Sequence, residues 1–160
     1  MIRINLIFAA SINNVIGQAG GIPWKLPPDL KRFRELTEGD TVIMGRKTYD
    51  SLPRAVKPLP MRRNVVLSTS IDRSQVPLGV VVIDDLDAYV ANLEFLRDMT
   101  KEDYSAKDTF WVVGGTEILQ AFGKIADAIY ITRVYQTVPV DSDTVYGPTF
   151  NHGEWECVSN

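Results

Sequence analysis

Asp29 follows the pair Pro27-Pro28 and precedes the apolar series Leu30, Phe33 and Leu36. Proline suits the first turn of a helix, where its missing N–H leaves no bond unmade. The apolar residues recur at helical spacing, so Asp29 belongs to the first helical turn. Two readings compete there. A carboxylate near a helix start is favoured by the dipole, by about 0.3–1 kcal/mol. Asp29 also shares a helix face with Phe33, and that face carries the apolar stripe. An acid set among apolar groups is costly unless it has a partner. It can bind a cationic or amide-rich ligand, or hold a proton near neutral pH.

A second group of residues suits phosphate. The run Trp111-Val112-Val113-Gly114-Gly115-Thr116-Glu117-Ile118 reads as strand, two glycines, helix. Glycines let the backbone approach a ligand, and a helix start offers free N–H groups. It is neither the three-glycine dinucleotide fingerprint nor a P-loop. A turn that merely closes a strand has the same look. Val42-Ile43-Met44-Gly45-Arg46-Lys47-Thr48 repeats the device and adds two cations and a hydroxyl. Arg46 can grip a phosphate with its planar fork. The hydroxyls Ser68 and Thr69 end the strand-like run Val65-Val66-Leu67. Each piece alone also fits a solvated turn. Together they are what a dinucleotide with an extra phosphate requires, which describes NADPH better than NADH. Arg62 follows the proline-bounded Pro58-Leu59-Pro60 and can clamp a carboxylate or serve as a surface charge. Trp24, beside Pro23, reads by itself as core.

These residues need a scaffold, and the hydrophobic pattern supplies one. Strands are expected over 4–10, 41–44, 64–70, 79–83, 109–113 and 128–134, with a further one starting over 155–158. Helices are expected from Pro27 through Leu36, over a short stretch from Gly45 to Pro53, over 86–99 and over 116–125. The helix over 86–99 carries Leu86, Tyr89, Val90, Leu93 and Leu96 on one side. Asn13-Asn14 marks a turn, 17–21 a glycine-rich loop and 100–108 a polar connection. Strands alternating with helices imply an α/β fold with a mainly parallel central sheet flanked by helices. Ligands of such sheets sit at the carboxyl ends of the strands, where the unusual residues fall.

Composition narrows the function classes. The 160 residues favour a single domain over 1–160, and 45% hydrophobic content suits a packed core. A net charge of -3 argues against a nucleic-acid partner. No apolar run approaches a membrane span. One cysteine, Cys157, and one histidine, His152, allow neither an internal disulfide nor a zinc site, so no metal is expected. A Ser-His-Asp triad would have to use His152, in a polar segment. A cytoplasmic home fits.

The ordered set of motifs resembles the dihydrofolate reductase family in its short bacterial-type form. The matching pieces are Val15-Ile16-Gly17, Ile22-Pro23-Trp24-Lys25-Leu26-Pro27, Asp29-Leu30, Phe33, Met44 to Thr48, Pro58-Leu59-Pro60, Arg62, Val65 to Ser68, Val113-Gly114-Gly115, Ile131-Thr132 and Asp143-Thr144. They cover nearly the whole chain in family order. The resemblance implies NADPH-dependent reduction of dihydrofolate to tetrahydrofolate by a monomer that is also a target of antifolate-type inhibitors. It implies that Asp29 hydrogen-bonds the pterin, assisted by Thr132, with Trp24 in the catalytic set. Ile7, Leu30, Phe33 and Leu52 would wall the pocket, and Arg62 would hold the glutamate carboxylate. Ala9, Ile16, Gly17, Gly45, Arg46, Lys47, Thr48, Leu67, Ser68, Thr69, Val113, Gly114, Gly115, Thr116, Glu117 and Ile118 would hold NADPH. Residues 17–24 would form a mobile lid, and the Gly114-Gly115 bond would be cis.

Three departures stand out. The sequence ends soon after Trp155, so the family's terminal antiparallel hairpin is expected to be missing or incomplete, leaving an exposed sheet edge. Leu119 stands where an aromatic residue often lines the nicotinamide pocket. The polar stretch before Thr109 reads as a surface insertion. The alternatives are a truncated, weakly active NADPH- and folate-binding domain, or a related pterin or pyrimidine reductase.

Overall fold

The strands and helices follow the hydrophobic pattern in the computed structural model, which describes residues 1–18, 21–102, 108–151 and 153–158. β1 (Ile2–Ser11) and a short β2 (Val15–Gly17) come first, then α1 (Pro27–Thr37). β3 (Thr41–Gly45) leads directly into α2 (Arg46–Asp50). β4 (Arg63–Leu67), β5 (Val80–Ile83) and α3 (Leu86–Met99) follow. β6 (Asp108–Gly114), α4 (Thr116–Gly123), β7 (Ala128–Val134) and β8 (Val145–Tyr146) complete the described elements.

Six strands form one sheet in the order β5-β4-β3-β6-β1-β7, with every neighbouring pair parallel. β2 and β8 pair antiparallel as a separate small sheet. A parallel sheet must be covered on both faces, which explains the unbroken runs of valine and isoleucine. One face packs Leu6, Ile43, Val112, Leu119 and Phe122 with α3 and α4. The other packs Ile7, Met44, Val66 and Trp111 against Phe33 and Leu36 of α1. Trp111 Nε1 donates to Asp40 Oδ2 at 2.9 Å, which ties the end of α1 to β6.

Several expectations are corrected. Residues 155–158 form no strand: Trp155 instead packs edge-on against Phe150, at 6.1 Å between ring centroids. Ring packing holds Trp155 there. The apolar stripe of α1 begins at Phe33, since Leu30 is 61% exposed. Leu96, on the last turn of α3, is likewise exposed, while Leu93 is buried. β2 and β8 had no strand-length pattern to announce them. Parts of the glycine-rich loop (residues 19–20) and of the polar connection (103–107), together with His152, lie outside the described residues.

Phe122 is fully buried where α4 meets α3, edge-on to Tyr89 at 6.2 Å. Phe122→Ala is expected to lower stability by about 3–5 kcal/mol, read from urea unfolding. Burial pushes the Tyr89 phenol from 10.0 up to about 12. Below pH 10 both folded and unfolded states keep the proton. Between pH 10 and 12 the unfolded chain ionises first, so stability falls as pH rises. The urea midpoint should drop over that window, and Tyr89→Phe should flatten the drop.

Candidate active site

Asp29 is brought to a partner 103 residues away. Leu26 caps α1, Pro27 and Pro28 fill its first positions, and Asp29 follows in the first turn. The backbone N–H groups of Asp29 and Leu30 both reach the carbonyl of Leu26, at 3.0 and 3.1 Å. From that turn the half-buried Asp29 carboxylate accepts a hydrogen bond from the Thr132 hydroxyl at 2.5 Å. Thr132 lies near the carboxyl end of β7, opposite Ala9 of β1. The bond spans the gap between the helix and the sheet edge.

Around this pair the sheet register sorts the side chains. Ile7 pairs with Tyr130, two residue pairs below Ala9 and Thr132 and so on the same face. Ile7 is buried, and Phe33, Leu52 and Val113 pack half-buried against the same cluster. Trp24 is half-buried just before α1. Ile16 is half-buried and packs against the cluster on the α3 and α4 side. Leu119 is fully buried within that cluster, so it serves the core.

Arg62 stands farther along α1. Its Nε donates to the Pro60 carbonyl at 2.9 Å and its Nη1 to Thr37 Oγ1 at 3.2 Å. The guanidinium lies 5.8 Å from the centroid of Phe33. Burial, then the nearby Arg34, push the Arg62 pKa down, and Glu38 partly opposes them. In the loop before it, Lys57-Pro58 is cis, and Met61 takes a left-handed conformation at φ 58. Asn64, which is buried, accepts from Leu59 N and donates to the carbonyls of Leu59 and Arg62. A loop held by the Asn64 side chain therefore presents Arg62 beside Phe33.

The two glycine-marked helix starts lie side by side. β3 pairs with β6, and a register shift sets Met44 opposite Gly114. A Cβ added to Gly45 would come within 2.9 Å of Ile118 Cδ1 and 3.6 Å of Gly115 N, which shows how closely the two turns approach. Thr48 Oγ1 lies 3.4 Å from the Cβ position of Gly114, whose φ is 145°. The Gly114-Gly115 bond is cis. Neither Gly45 nor Gly115 supplies a side-chain cap, so the first N–H groups of both helices lack one. A Cβ position at Gly115 meets nothing within 4 Å, which leaves room for a ligand against the backbone. β1 separates β6 from β7, so the Gly114-Gly115 turn is two strand spacings, about 10 Å, from the strand that carries Thr132, and Gly45 on β3 is one spacing farther.

The remaining candidates divide. Arg46 is exposed and is held by residues outside the expected set: Nε by Asp50 Oδ2 at 3.3 Å and Nη1 by Ser70 Oγ at 2.9 Å. Ser68 Oγ accepts from the backbone N–H groups of Ser70 and Ile71 and so shapes that turn. Leu67 is buried, while Lys47, Thr69 and Glu117 are exposed. The Thr116 hydroxyl donates to the Tyr146 carbonyl. Gly17 pairs with Val145, and Gln18 Nε2 donates to the Pro139 carbonyl and Asp141 Oδ2 at 2.8 and 3.0 Å. The base of the loop over 17–24 is thus tied to the chain after β7. Nothing in the residue pattern marked Gln18 or Asp50. Ser70 merely extends the hydroxyl pair Ser68-Thr69.

Comparison with known proteins places this geometry. The family model described as Dihydrofolate reductase matches residues 3–160. Dihydrofolate reductase of Mycobacterium leprae (strain TN) is 38% identical over 161 residues, covering 97% of this chain and 90% of the relative. That of Haemophilus influenzae is 40% identical over 152 residues, covering 95% and 82%. A solved structure of dihydrofolate reductase from Enterococcus faecalis, complexed with NADP(H) and RAB-propyl, superposes with a TM-score of 0.77. It is 28% identical, and the match covers 98% of this chain and 83% of that one. From the family match over residues 3–160 and these relatives, this chain belongs to the dihydrofolate reductase family.

Proposed function

We propose that this chain reduces 7,8-dihydrofolate to 5,6,7,8-tetrahydrofolate with NADPH, supplying one-carbon metabolism. The observation that carries the reading is the Asp29 carboxylate, half-buried and bonded to Thr132 at the carboxyl edge of the sheet. A flat heterocycle bearing N–H groups offers the further donors that a carboxylate in apolar surroundings requires. Asp29 hydrogen-bonds the pterin while N5 gains a proton drawn from solvent water, and Thr132 holds the carboxylate in position. Ile7, Leu30, Phe33 and Leu52 supply the apolar walls that exclude water. Arg62 binds the glutamate carboxylate of the substrate through its outer donors.

The fit of the cofactor rests on the paired glycine turns. Uncapped N–H groups at two adjacent helix starts, open space beside Gly115 and the nearby Arg46 suit a phosphorylated dinucleotide. When bound, NADPH supplies the hydride. Gly45, Arg46, Lys47, Thr48, Leu67, Ser68 and Thr69 hold it on the β3 and β4 side, and Val113 to Ile118 on the β6 side. Ala9, Ile16, Gly17 and Trp24 border the nicotinamide end. The complex of the Enterococcus faecalis relative with NADP(H) and RAB-propyl supports both the cofactor and a site open to antifolate-type inhibitors. The proposal also includes one domain, a monomeric state and a cytoplasmic location. The net charge of -3 supports a small-molecule substrate over a nucleic-acid partner. Among the described residues no helix is long and apolar enough to cross a membrane.

The direct test mixes the purified chain with dihydrofolate and NADPH and follows the nicotinamide absorbance band. A decline that needs both compounds is expected, and a flat trace overturns the reading. Asp29→Asn should cut turnover at neutral pH on the order of 100-fold or more while NADPH binding stays near normal. Wild-type turnover in that variant would remove Asp29 from the site. Arg62→Leu should raise the KM for dihydrofolate roughly tenfold to a hundredfold, the loss of a charged hydrogen bond. A pteridine substrate lacking the glutamate should be insensitive to that change.

A further inference from the structure

Asp50 ends α2 with its two carboxylate oxygens turned to different cations. Oδ2 is 3.3 Å from Arg46 Nε, and Oδ1 is 3.6 Å from Lys57 Nζ. The Lys57 ammonium also lies 4.8 Å from the centroid of Tyr49, whose ring is buried. That contact fixes Lys57 from a second direction, and Lys57 in turn fixes Asp50. Arg46 is gripped again on its other side, where Nη1 donates to Ser70 Oγ at 2.9 Å. Ser70 sits in a turn whose shape depends on the Ser68 hydroxyl. Two of the three guanidinium nitrogens, Nε and Nη1, are therefore held, which leaves the Nη2 donors of the planar fork for a ligand.

As a contribution to stability, so exposed an ion pair counts for little. Its effect is orientational. An unrestrained arginine loses several rotamers when it meets a phosphate, whereas this one has been ordered beforehand. We propose that Asp50 and Ser70 are positioning residues that aim Arg46 at the additional phosphate of the phosphorylated nicotinamide cofactor. They thereby set the preference for that cofactor over its unphosphorylated counterpart. The inference rests on the function proposed above, with Arg46 as the residue that touches the cofactor.

The test is direct binding, with no turnover required. Affinities of the full chain for NADPH and for NADH are measured by calorimetry for wild type, Asp50→Asn, Asp50→Glu and Ser70→Ala. Wild type is expected to bind NADPH more tightly than NADH. Asp50→Asn and Ser70→Ala should each weaken NADPH binding about threefold to tenfold and leave NADH nearly unchanged. Asp50→Glu, which retains the charge, should recover part of the loss. Equal weakening for both cofactors, or no change for either, overturns the positioning role while leaving the function intact. Wild type that binds neither cofactor overturns the proposed function, and this inference with it.

Discussion

A hydroxyl on the sheet edge holds a carboxylate on a helix, and the site is arranged around that bond. Asp29 has apolar neighbours on its helix, so donors must come from elsewhere. Thr132 provides one at 2.5 Å. The bond forms because β7 pairs with β1 in parallel, so that Thr132 stands opposite Ala9 at the strand ends. α1 is tied down at its other end through Asp40 and Trp111. With both ends fixed, the helix holds Asp29 and Arg62 at opposite ends of one apolar wall that contains Phe33. A substrate with a polar heterocycle at one end and a carboxylate at the other matches that layout.

The second half of the site arises from strand pairing. β3 and β6 are neighbours in space although α2, β4, β5 and α3 separate them in the chain. Their shifted register sets Gly45 against the Gly114-Gly115 turn, so two weak phosphate devices become one. Each alone is a common turn. Their adjacency, with Arg46 braced at the rim, distinguishes them from ordinary loops. On the proposed function, the cofactor side and the substrate side meet across β1.

Much of this was legible in the residues. α3 and β7 fall on the residues where periodicity placed them, because long amphipathic or β-branched stretches leave little choice. The Pro27-Pro28 helix start located Asp29. The partners were harder to see. Thr132, read from the pattern alone, is one hydroxyl in a strand, and only the tertiary pairing of β7 makes it a neighbour of Asp29. Asp50 and Ser70 read as surface polar residues until the fold sets both beside Arg46. Leu30 and Leu96 fit their helical stripes but are exposed, since periodicity gives a helix face and not what covers it. Trp155 to Val158 has the composition of a strand, yet Phe150 captures Trp155 first.

The central claim is that the Asp29–Thr132 pair marks where the heterocycle lies. A crystal structure of the chain soaked with folate tests it most directly. The expected result is the pterin ring against Phe33, with its N–H groups about 3 Å from the Asp29 carboxylate. A pterin bound elsewhere, with Asp29 still bonded only to Thr132, would contradict it.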